Sequence, residues 1–451
     1  MSLVFKIYIT ISLMTIFCNS IQYSQTGGWQ VPADGDFPIV GFNICFDEGS
    51  FPTDSTFKTL ENGGINLFVN YNRVINGNDS IVYNSFNSYR SHYPESKLKL
   101  IMQIAGIVNN TSLYSQINPL LNKFTSNSVY GYFIWDEPWD IPNKGNNDLA
   151  DINHLVEQLK SNPNSKSRLA AVDLMPIYWD KISGAERYKE YIDNFYNSQT
   201  NRKPQILMVD YYPYLTFGVR NNFFQGLKVL KDKSLQYNVP FWIIVLSSKH
   251  LSYIDPTIND IRLQVYSSLA YGAKGIAYYL YSLDGDYSSA ILQSNFNKPS
   301  AYHGEKYNDV KILNKEITML GKTLLKLTPF AIYHNDSDTN NIYPNGQKGI
   351  NDELLNNNNN RSFDVIENIA GTDSNYAMVG YFQHQITKEE YFLIVNKDFN
   401  NSHEFTIKLK NNVRAIYEIS KTTGSEVLFD SNSKLIKNVF LRPGDGRLFK
   451  F

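Results

Sequence analysis

The sequence predicts an α/β protein, a TIM-type (β/α)8 barrel of eight parallel strands, followed by a small all-β sandwich. Before residue 327, short and continuously apolar segments recur about every 30 to 40 residues, the spacing of strands that are each followed by a helix. Longer amphipathic segments separate them. After residue 327, apolar and polar residues alternate in short segments. Continuous apolarity is typical of parallel strands that are covered on both faces, and alternation is typical of antiparallel strands.

The first twenty residues predict a secretory signal peptide. Lys6 precedes the apolar residues 7–17, and small residues follow up to Ser20. The apolar core is shorter than the roughly 20 residues that span a bilayer, so cleavage is favoured over the alternative, a retained signal anchor. We therefore expect a secreted protein, extracellular or in the endolysosomal lumen, with no membrane partner after cleavage. Cys45 would be its single cysteine, which leaves no intramolecular disulfide.

Eight strands and their helices are predicted for a barrel over residues 36–327. The strands cover residues 38–44, 65–70, 98–104, 130–135, 169–173, 206–210, 241–246 and 275–280. Helices are predicted over residues 147–159 and 258–271, where apolar residues recur at intervals of three and four. A last helix over residues 307–327 closes the barrel. Residues 282–303, rich in Asp, Ser and Asn, form a long loop before it.

The predicted sandwich covers residues 328–451. Its strands are expected at residues 376–382, 390–396, 404–409, 414–419 and 437–441, where apolar and polar residues alternate. The asparagine-rich residues 351–361 are expected to be a solvated excursion from this domain.

Charge and motif content exclude several functional classes. The chain has 42 basic and 43 acidic residues, a formal net charge of −1, so no global field attracts nucleic acid or an anionic membrane. No glycine-rich phosphate loop or nucleophile elbow is present. His250 and His303 fall in predicted loops and no metal-ligand spacing occurs near a strand end, so neither a metal nor another cofactor is expected.

Candidate site residues lie at the carboxyl ends of the predicted strands, the face on which such barrels carry their active sites. The fourth strand ends in Trp135, Asp136 and Glu137, followed by a proline and Trp139. Carboxylates beside indole rings suit a sugar, which presents hydroxyls at its edge and C–H bonds on its faces. Other strands also end in polar or aromatic residues, of which Asp210 is a candidate catalytic residue. The remaining ones are expected to bind substrate: Asn70, Gln103, Asp173, Tyr212 and Tyr281.

Residues 131–138 resemble the fourth-strand signature of clan A glycoside hydrolases, whose usual form is Asn-Glu-Pro with the Glu as general acid/base. Residues 269–279 resemble the approach to the eighth strand in the same barrels, and the carboxyl-terminal sandwich is similar to their accessory β domain. The resemblance implies a glycosidase with Glu137 as the acid. Carbohydrate is then the expected partner.

Two departures from that pattern shape the predicted mechanism. Asp136 stands where the family has Asn, and this second charge beside Glu137 should raise the pKa of one of the two acids. The seventh strand ends in Leu246, Ser247 and Ser248 where the family has its nucleophilic Glu. Asp210 is therefore the predicted second carboxyl, as nucleophile or as base for water, and Asp173, Asp47 and Asp284 are the other acids in reach. A separation of about 5 Å between the two carboxyls implies retention, and roughly 6.5 to 9.5 Å implies inversion.

Supporting roles are expected for residues around this pair. Tyr212 and Asp136 would tune or orient the two catalytic carboxyls. Trp135, Trp139 and Tyr281 would stack on sugar. The alternative function is a barrel without catalytic activity that acts as a secreted carbohydrate-binding protein, because the seventh-strand Glu is missing.

Overall fold

A computed structural model confirms the predicted fold class, a (β/α)8 barrel followed by an all-β region. It describes residues 36–44, 52–70, 78–104, 114–138, 148–179, 182–198, 204–282, 289–292, 304–334, 365–371 and 376–451. The barrel is closed, and neighbouring strands run in the order β1-β10-β9-β6-β5-β4-β3-β2. These strands are β1 (Ile39–Ile44), β2 (Leu67–Asn70), β3 (Lys99–Gln103), β4 (Val129–Asp136), β5 (Leu169–Leu174), β6 (Leu207–Tyr211), β9 (Phe241–Leu246) and β10 (Ile276–Tyr279).

A helix follows each barrel strand, as the spacing predicts. The helices are α1 (Asp54–Asn62), α2 (Asn78–His92), α3 (Tyr114–Lys123), α4 (Asp148–Ser161), α5 (Ala185–Ser198), α6 (Phe223–Tyr237), α7 (Ile258–Ala270) and α8 (Gly304–Leu324). The α7 helix starts at a capping box, in which the Thr257 hydroxyl accepts from the Asp260 N–H and the Asp260 carboxylate accepts from the Thr257 N–H. The last helix ends at Leu324, three residues earlier than expected, because Leu327 already begins a strand.

A short hairpin interrupts the connection between β6 and α6. Its strands, β7 (Tyr214–Leu215) and β8 (Gly218–Val219), pair with each other, and Leu215 bridges to Tyr253 in the connection after β9. The sequence analysis does not predict this hairpin. It holds two connections together at the carboxyl face of the barrel.

The fourth strand contains an irregularity that shapes the site. Gly131 lies so close to β5 that a β-carbon there would be 2.5 Å from Leu169 Cβ. The register between β4 and β5 then shifts between Phe133 and Trp135, which marks a bulge. Glu137 follows with a positive φ of 49°, a backbone region that few non-glycine residues adopt. The bulge and this turn break the simple alternation of side chains just before the two acids.

The carboxyl-terminal region is a seven-stranded antiparallel sheet around its own apolar core. Its strands are β11 (Leu327–His334), β12 (Ile366–Gly371), β13 (Ala377–His384), β14 (Glu390–Asn396), β15 (His403–Ile419), β16 (Glu426–Leu441) and β17 (Gly446–Lys450). Bulges let β15 and β16 stay paired along a ribbon, so the predicted strands at 404–409 and 414–419 are one strand. The domain division at residue 327 stays a prediction. Residues 351–361 lie outside the described ranges.

This sheet packs against α7 and α8 of the barrel. A β-carbon at Gly380 in β13 would lie 2.2 Å from the Ala270 carbonyl oxygen, so only glycine fits there. Arg262 in α7 donates to the Pro443 carbonyl at 2.9 Å, and Arg442 pairs with Glu316 in α8 at 2.9 Å. No helix within the described ranges is long and apolar enough to span a bilayer.

Candidate active site

Four carboxyl groups from three neighbouring strands lie together at the carboxyl end of the barrel. Asp136 at the end of β4 is the register partner of Asp173 in β5. Asp173 is opposite Met208 in β6, and Asp210 is two residues further along and hence on the same face as Met208. The Glu137 N–H donates to the Asp173 carbonyl at 2.9 Å, which fixes the turn after β4. The fold therefore gathers four of the predicted site residues.

Asp136 and Glu137 are exposed at the end of β4, although nearby protein atoms remove part of the water around their carboxyls. Burial raises the pKa of Asp136 to about 6. Burial, together with the charge of Asp136, raises the pKa of Glu137 to about 7. Of the two acids, Glu137 is the one whose pKa the charge of its neighbour raises. Glu137 carries a proton for a large part of the time near neutral pH, which a general acid requires.

Asp173 and Asp210 are buried, with exposed fractions of 3% and 6%. Burial raises the pKa of both well above the usual range, and the charges of the other acids add to it. Glu137 is the largest of the neighbouring charges that act on Asp210. The two predicted catalytic carboxyls therefore share one region of the site. Ion pairs in the described part of the chain do not include Asp210. Among the described residues, no three His, Cys, Asp or Glu side chains are placed so that they could hold a metal ion together.

An aromatic cluster lies beside Asp210. The Tyr212 ring stacks on Tyr279 at 5.7 Å between centroids and meets His250 and Tyr253 edge-to-face at 5.6 and 5.3 Å. Burial lowers the pKa of His250, so its ring is neutral near pH 7. Tyr212 itself is 7% exposed. Tyr212 therefore supports the wall of the site through its contacts in this cluster, and little of its ring face is open to a sugar.

The other predicted binding residues take different positions. Asn70 is fully buried, and its side-chain oxygen accepts the Gln103 N–H at 3.3 Å, so it ties β2 to β3. The Gln103 side-chain oxygen is buried and accepts no hydrogen bond within the described residues. Trp135 is 7% exposed, opposite Val172. Trp139 lies outside the described residues, as do Asp47 and Asp284.

Tyr281 does not take the expected stacking position. Its side chain is fully buried in the core, and a β-carbon at Gly63 would touch its hydroxyl oxygen. The strand β10 ends at Tyr279, so the alternation that would place residues 279 and 281 on one face no longer applies. Tyr279 joins the aromatic cluster in its place.

The end of the seventh barrel strand, β9, presents two buried serines. The Ser247 hydroxyl donates to the Leu280 carbonyl and the Ser248 hydroxyl to the Tyr279 carbonyl, both at 3.2 Å. These bonds join β9 to the end of β10. The sequence places no carboxyl at the end of this strand. The two hydroxyls that stand there have a structural role.

Three residues near Asp210 are missed by the sequence analysis: Tyr178, Arg220 and Tyr253. The Arg220 guanidinium lies 3.7 Å from the centre of the Tyr178 ring. It donates to the Tyr253 hydroxyl, which donates to the Tyr178 hydroxyl, both at 3.3 Å. These residues come from connections after β5, β8 and β9. None belongs to a strand end or a recognisable motif, so the sequence offers no signal for them.

Comparison with known proteins supports the fold. No family model and no curated protein sequence matches the chain. Among solved structures, a catalytic mutant of a GH42 β-galactosidase from G. stearothermophilus matches 95% of this chain and 100% of its own, with a TM-score of 0.56 and 8% identity. A GH5 family lichenase from Caldicellulosiruptor sp. F32 covers 63% of this chain and 94% of its own, with 14% identity and a TM-score of 0.43, too low to add to the assignment. The chain thus shares the barrel and β-rich carboxyl-terminal region of glycoside hydrolases, as the resemblance implies.

Proposed function

We propose that this protein is a glycoside hydrolase that cleaves O-glycosidic bonds with Glu137 as general acid and Asp210 as the second carboxyl. The proposal is carried by one observation. Glu137, with its pKa raised to about 7, lies close enough to a buried carboxyl on β6 that its charge raises the pKa of Asp210. Two carboxyls of different environment are the minimum apparatus for this reaction.

The reaction follows from the two environments. Glu137 donates its proton to the glycosidic oxygen while the bond to the anomeric carbon breaks. Positive charge develops on the sugar ring, and the carboxylates of the site stabilise it. Asp210 then attacks the anomeric carbon or takes a proton from the attacking water. Asp136 keeps the pKa of Glu137 high, and Asp173 supports the turn that carries Glu137.

Carbohydrate is the proposed substrate, and the protein is proposed to act outside the cytoplasm. The apolar residues 7–17 and the small residues that follow them support secretion or delivery to the endolysosomal lumen. The near-neutral net charge of the chain suits an uncharged sugar.

The second candidate is a carbohydrate-binding barrel without catalysis. It is favoured by Ser247 and Ser248, which occupy the end of β9 and are engaged with β10. The position of Asp210 counts against this candidate. A protein that only binds carbohydrate has no need to hold Asp210 beside Glu137 without a cationic side chain to pair with it.

Activity on a panel of polysaccharides and aryl glycosides distinguishes the two functions. The wild type should release reducing sugar, and Glu137→Gln and Asp210→Asn should each lower kcat/KM by about 10²- to 10⁴-fold. Glu95→Gln is the matched control, because Glu95 is an exposed carboxylate in the loop before β3, at the opposite end of the barrel. Full activity in Glu137→Gln would refute the proposal. Glycan binding by a wild type that hydrolyses nothing would establish the second candidate.

A further inference from the structure

We propose that a cleft in the carboxyl-terminal sheet region binds an uncharged sugar chain, at a second site separate from the catalytic carboxyls. The cleft is formed by Tyr376, Asp398, residues 401–404 and Phe440, where the connection from β14 to β15 meets β16. Its volume is about 550 Å³, within the range of about 300–1,000 Å³ that is usual for small-molecule sites. Sugar binding there requires no hydrolysis and so goes beyond the proposed function.

The loop that carries the cleft is fixed by the buried carboxylate of Asp398. One of its oxygens accepts the N–H groups of Asn400 and Asn401 at 2.7 and 3.1 Å. The other accepts from the Asn401 side chain at 3.1 Å and from His403 Nε2 at 2.9 Å. The cleft therefore has its shape before a ligand arrives, and binding costs little ordering of the loop.

Polar groups at the surface of the cleft are available to the hydroxyls of a sugar. Asn401, Ser402 and Glu404 are exposed there. Within the described residues, the Ser402 hydroxyl and the Glu404 carboxylate have no hydrogen-bond or ion-pair partner. A hydroxyl both donates and accepts, and a carboxylate accepts. Together they match the two hydrogen-bonding roles of a sugar hydroxyl.

Aromatic rings supply the apolar part of the lining. Phe440 in β16 is the register partner of Glu404 in β15, so its ring lies beside that carboxylate on one face of the ribbon. Phe440 is 54% exposed. The Tyr376 ring stacks on His403 at 5.2 Å between centroids. Rings beside hydroxyl and carboxylate groups suit a sugar, which presents C–H bonds on its faces and hydroxyls at its edge.

The charge of the lining restricts the class of sugar. Among the described residues, the lining has two acids, Asp398 and Glu404, and neither lysine nor arginine. Its histidine, His403, is already paired with Asp398. A uronate or a sulfated sugar would bring a further negative charge to a site that has no free cation to pair with it. The ligand that fits is therefore an uncharged sugar.

The cleft lies at the same end of the protein as the catalytic carboxyls. Phe399, in the loop that carries the cleft, meets the Tyr214 ring edge-to-face at 5.6 Å. Tyr214 begins the hairpin that follows β6, the strand that contains Asp210. A long sugar chain held in the cleft is kept near the carboxyl face of the barrel, which raises its local concentration there. This consequence for catalysis rests on the proposed function.

The test follows occupation of the cleft through the backbone amide signal of Ser402. The full chain is produced in bacteria with ¹⁵N-serine, so that Asn400 of the sequence Asn-Asn-Ser carries no attached glycan. The Ser402 signal is assigned by its loss in Ser402→Ala. Glu137→Gln is the parent protein, so that no probe is cleaved. The probes are hexasaccharides of glucose, mannose, galactose and xylose, with a galacturonate hexasaccharide as the anionic comparison.

At least one neutral probe should shift the Ser402 signal, and its titration gives the dissociation constant of the cleft. Phe440→Ala should raise this constant by about tenfold, because the apolar wall is lost. Glu404→Gln should weaken binding in the same direction. Leu428→Ala is the matched control, since Leu428 is also in β16, is 58% exposed and lies outside the cleft.

A Ser402 signal that no neutral probe moves would overturn the proposal. Equal dissociation constants in the parent and Phe440→Ala, an equal loss in Leu428→Ala, or tighter binding of the galacturonate chain would overturn it as well. A tenfold loss in Phe440→Ala, in a protein whose wild type hydrolyses no glycoside, would support the cleft and refute the proposed function. Normal hydrolysis by the wild type with an unmoved Ser402 signal would refute the cleft alone.

Discussion

The charge of Asp136 should set part of the pH dependence of catalysis, and Asp136→Asn isolates that part. The pKa of Glu137 rises from an ordinary 4.5 to about 7, a difference of about 2.5 pH units. Burial is the larger of the two causes, so the charge of Asp136 accounts for less than half of the rise, at most about one pH unit. With its own pKa at about 6, Asp136 is ionised in the range where Glu137 titrates, so its charge is present there.

The amide should therefore lower the pKa of Glu137 from about 7 toward about 6 while burial keeps it above its ordinary value. The assay is kcat/KM against pH on a glycoside that the wild type cleaves, because the basic limb of this profile reports the essential acid of the free enzyme. The limb should move to lower pH by up to about one unit. Glu95→Gln should leave it in place. A limb that stays or moves to higher pH in Asp136→Asn would refute the electrostatic reasoning.

Two further predictions concern stability. Gly380→Ala should lower the free energy of unfolding by about 1–3 kcal/mol, because the new β-carbon would lie 2.2 Å from the Ala270 carbonyl oxygen. Calorimetry measures this, with Ser402→Ala on an exposed loop as control, and equal stability of the two variants would contradict it. Burial lowers the pKa of Lys274 from 10.5 to about 7, and its ammonium donates to the carbonyls of Leu324, at the end of α8, and Leu327, at the start of β11. The unfolded chain binds this proton more readily, so stability should rise between pH 7 and pH 10 by up to about 3.5 kcal/mol more in the wild type than in Lys274→Met, as denaturant titrations would show. Parallel pH profiles for the two proteins would contradict it.

The barrel could be predicted from the sequence because its signal is local. A strand that is buried on both faces is a short apolar run, and the predicted strand at 241–246 has the same bounds as β9. The acids at the strand ends share one face because parallel strands point the same way, so Asp136, Glu137, Asp173 and Asp210 are found together. Local pattern and global fold agree here.

The remaining parts of the site depend on contacts that no local pattern encodes. Tyr178 and Tyr253 are 75 residues apart and meet only because β5, β6 and β9 are neighbours in the barrel. The bulge after Phe133 and the positive φ of Glu137 change which side chains face the cavity. Tyr281 departs from its expected position for a similar reason, since its strand ends two residues earlier. Alternation predicts a face only while the strand continues.

The central claim is that Glu137 and Asp210 act on opposite sides of one glycosidic bond. A crystal structure of Glu137→Gln with an oligosaccharide that the wild type cleaves tests it most directly. We predict the scissile oxygen within about 3 Å of the carboxamide at position 137, with the anomeric carbon facing the Asp210 carboxylate. A sugar bound in the barrel with its scissile bond away from both side chains would contradict the account.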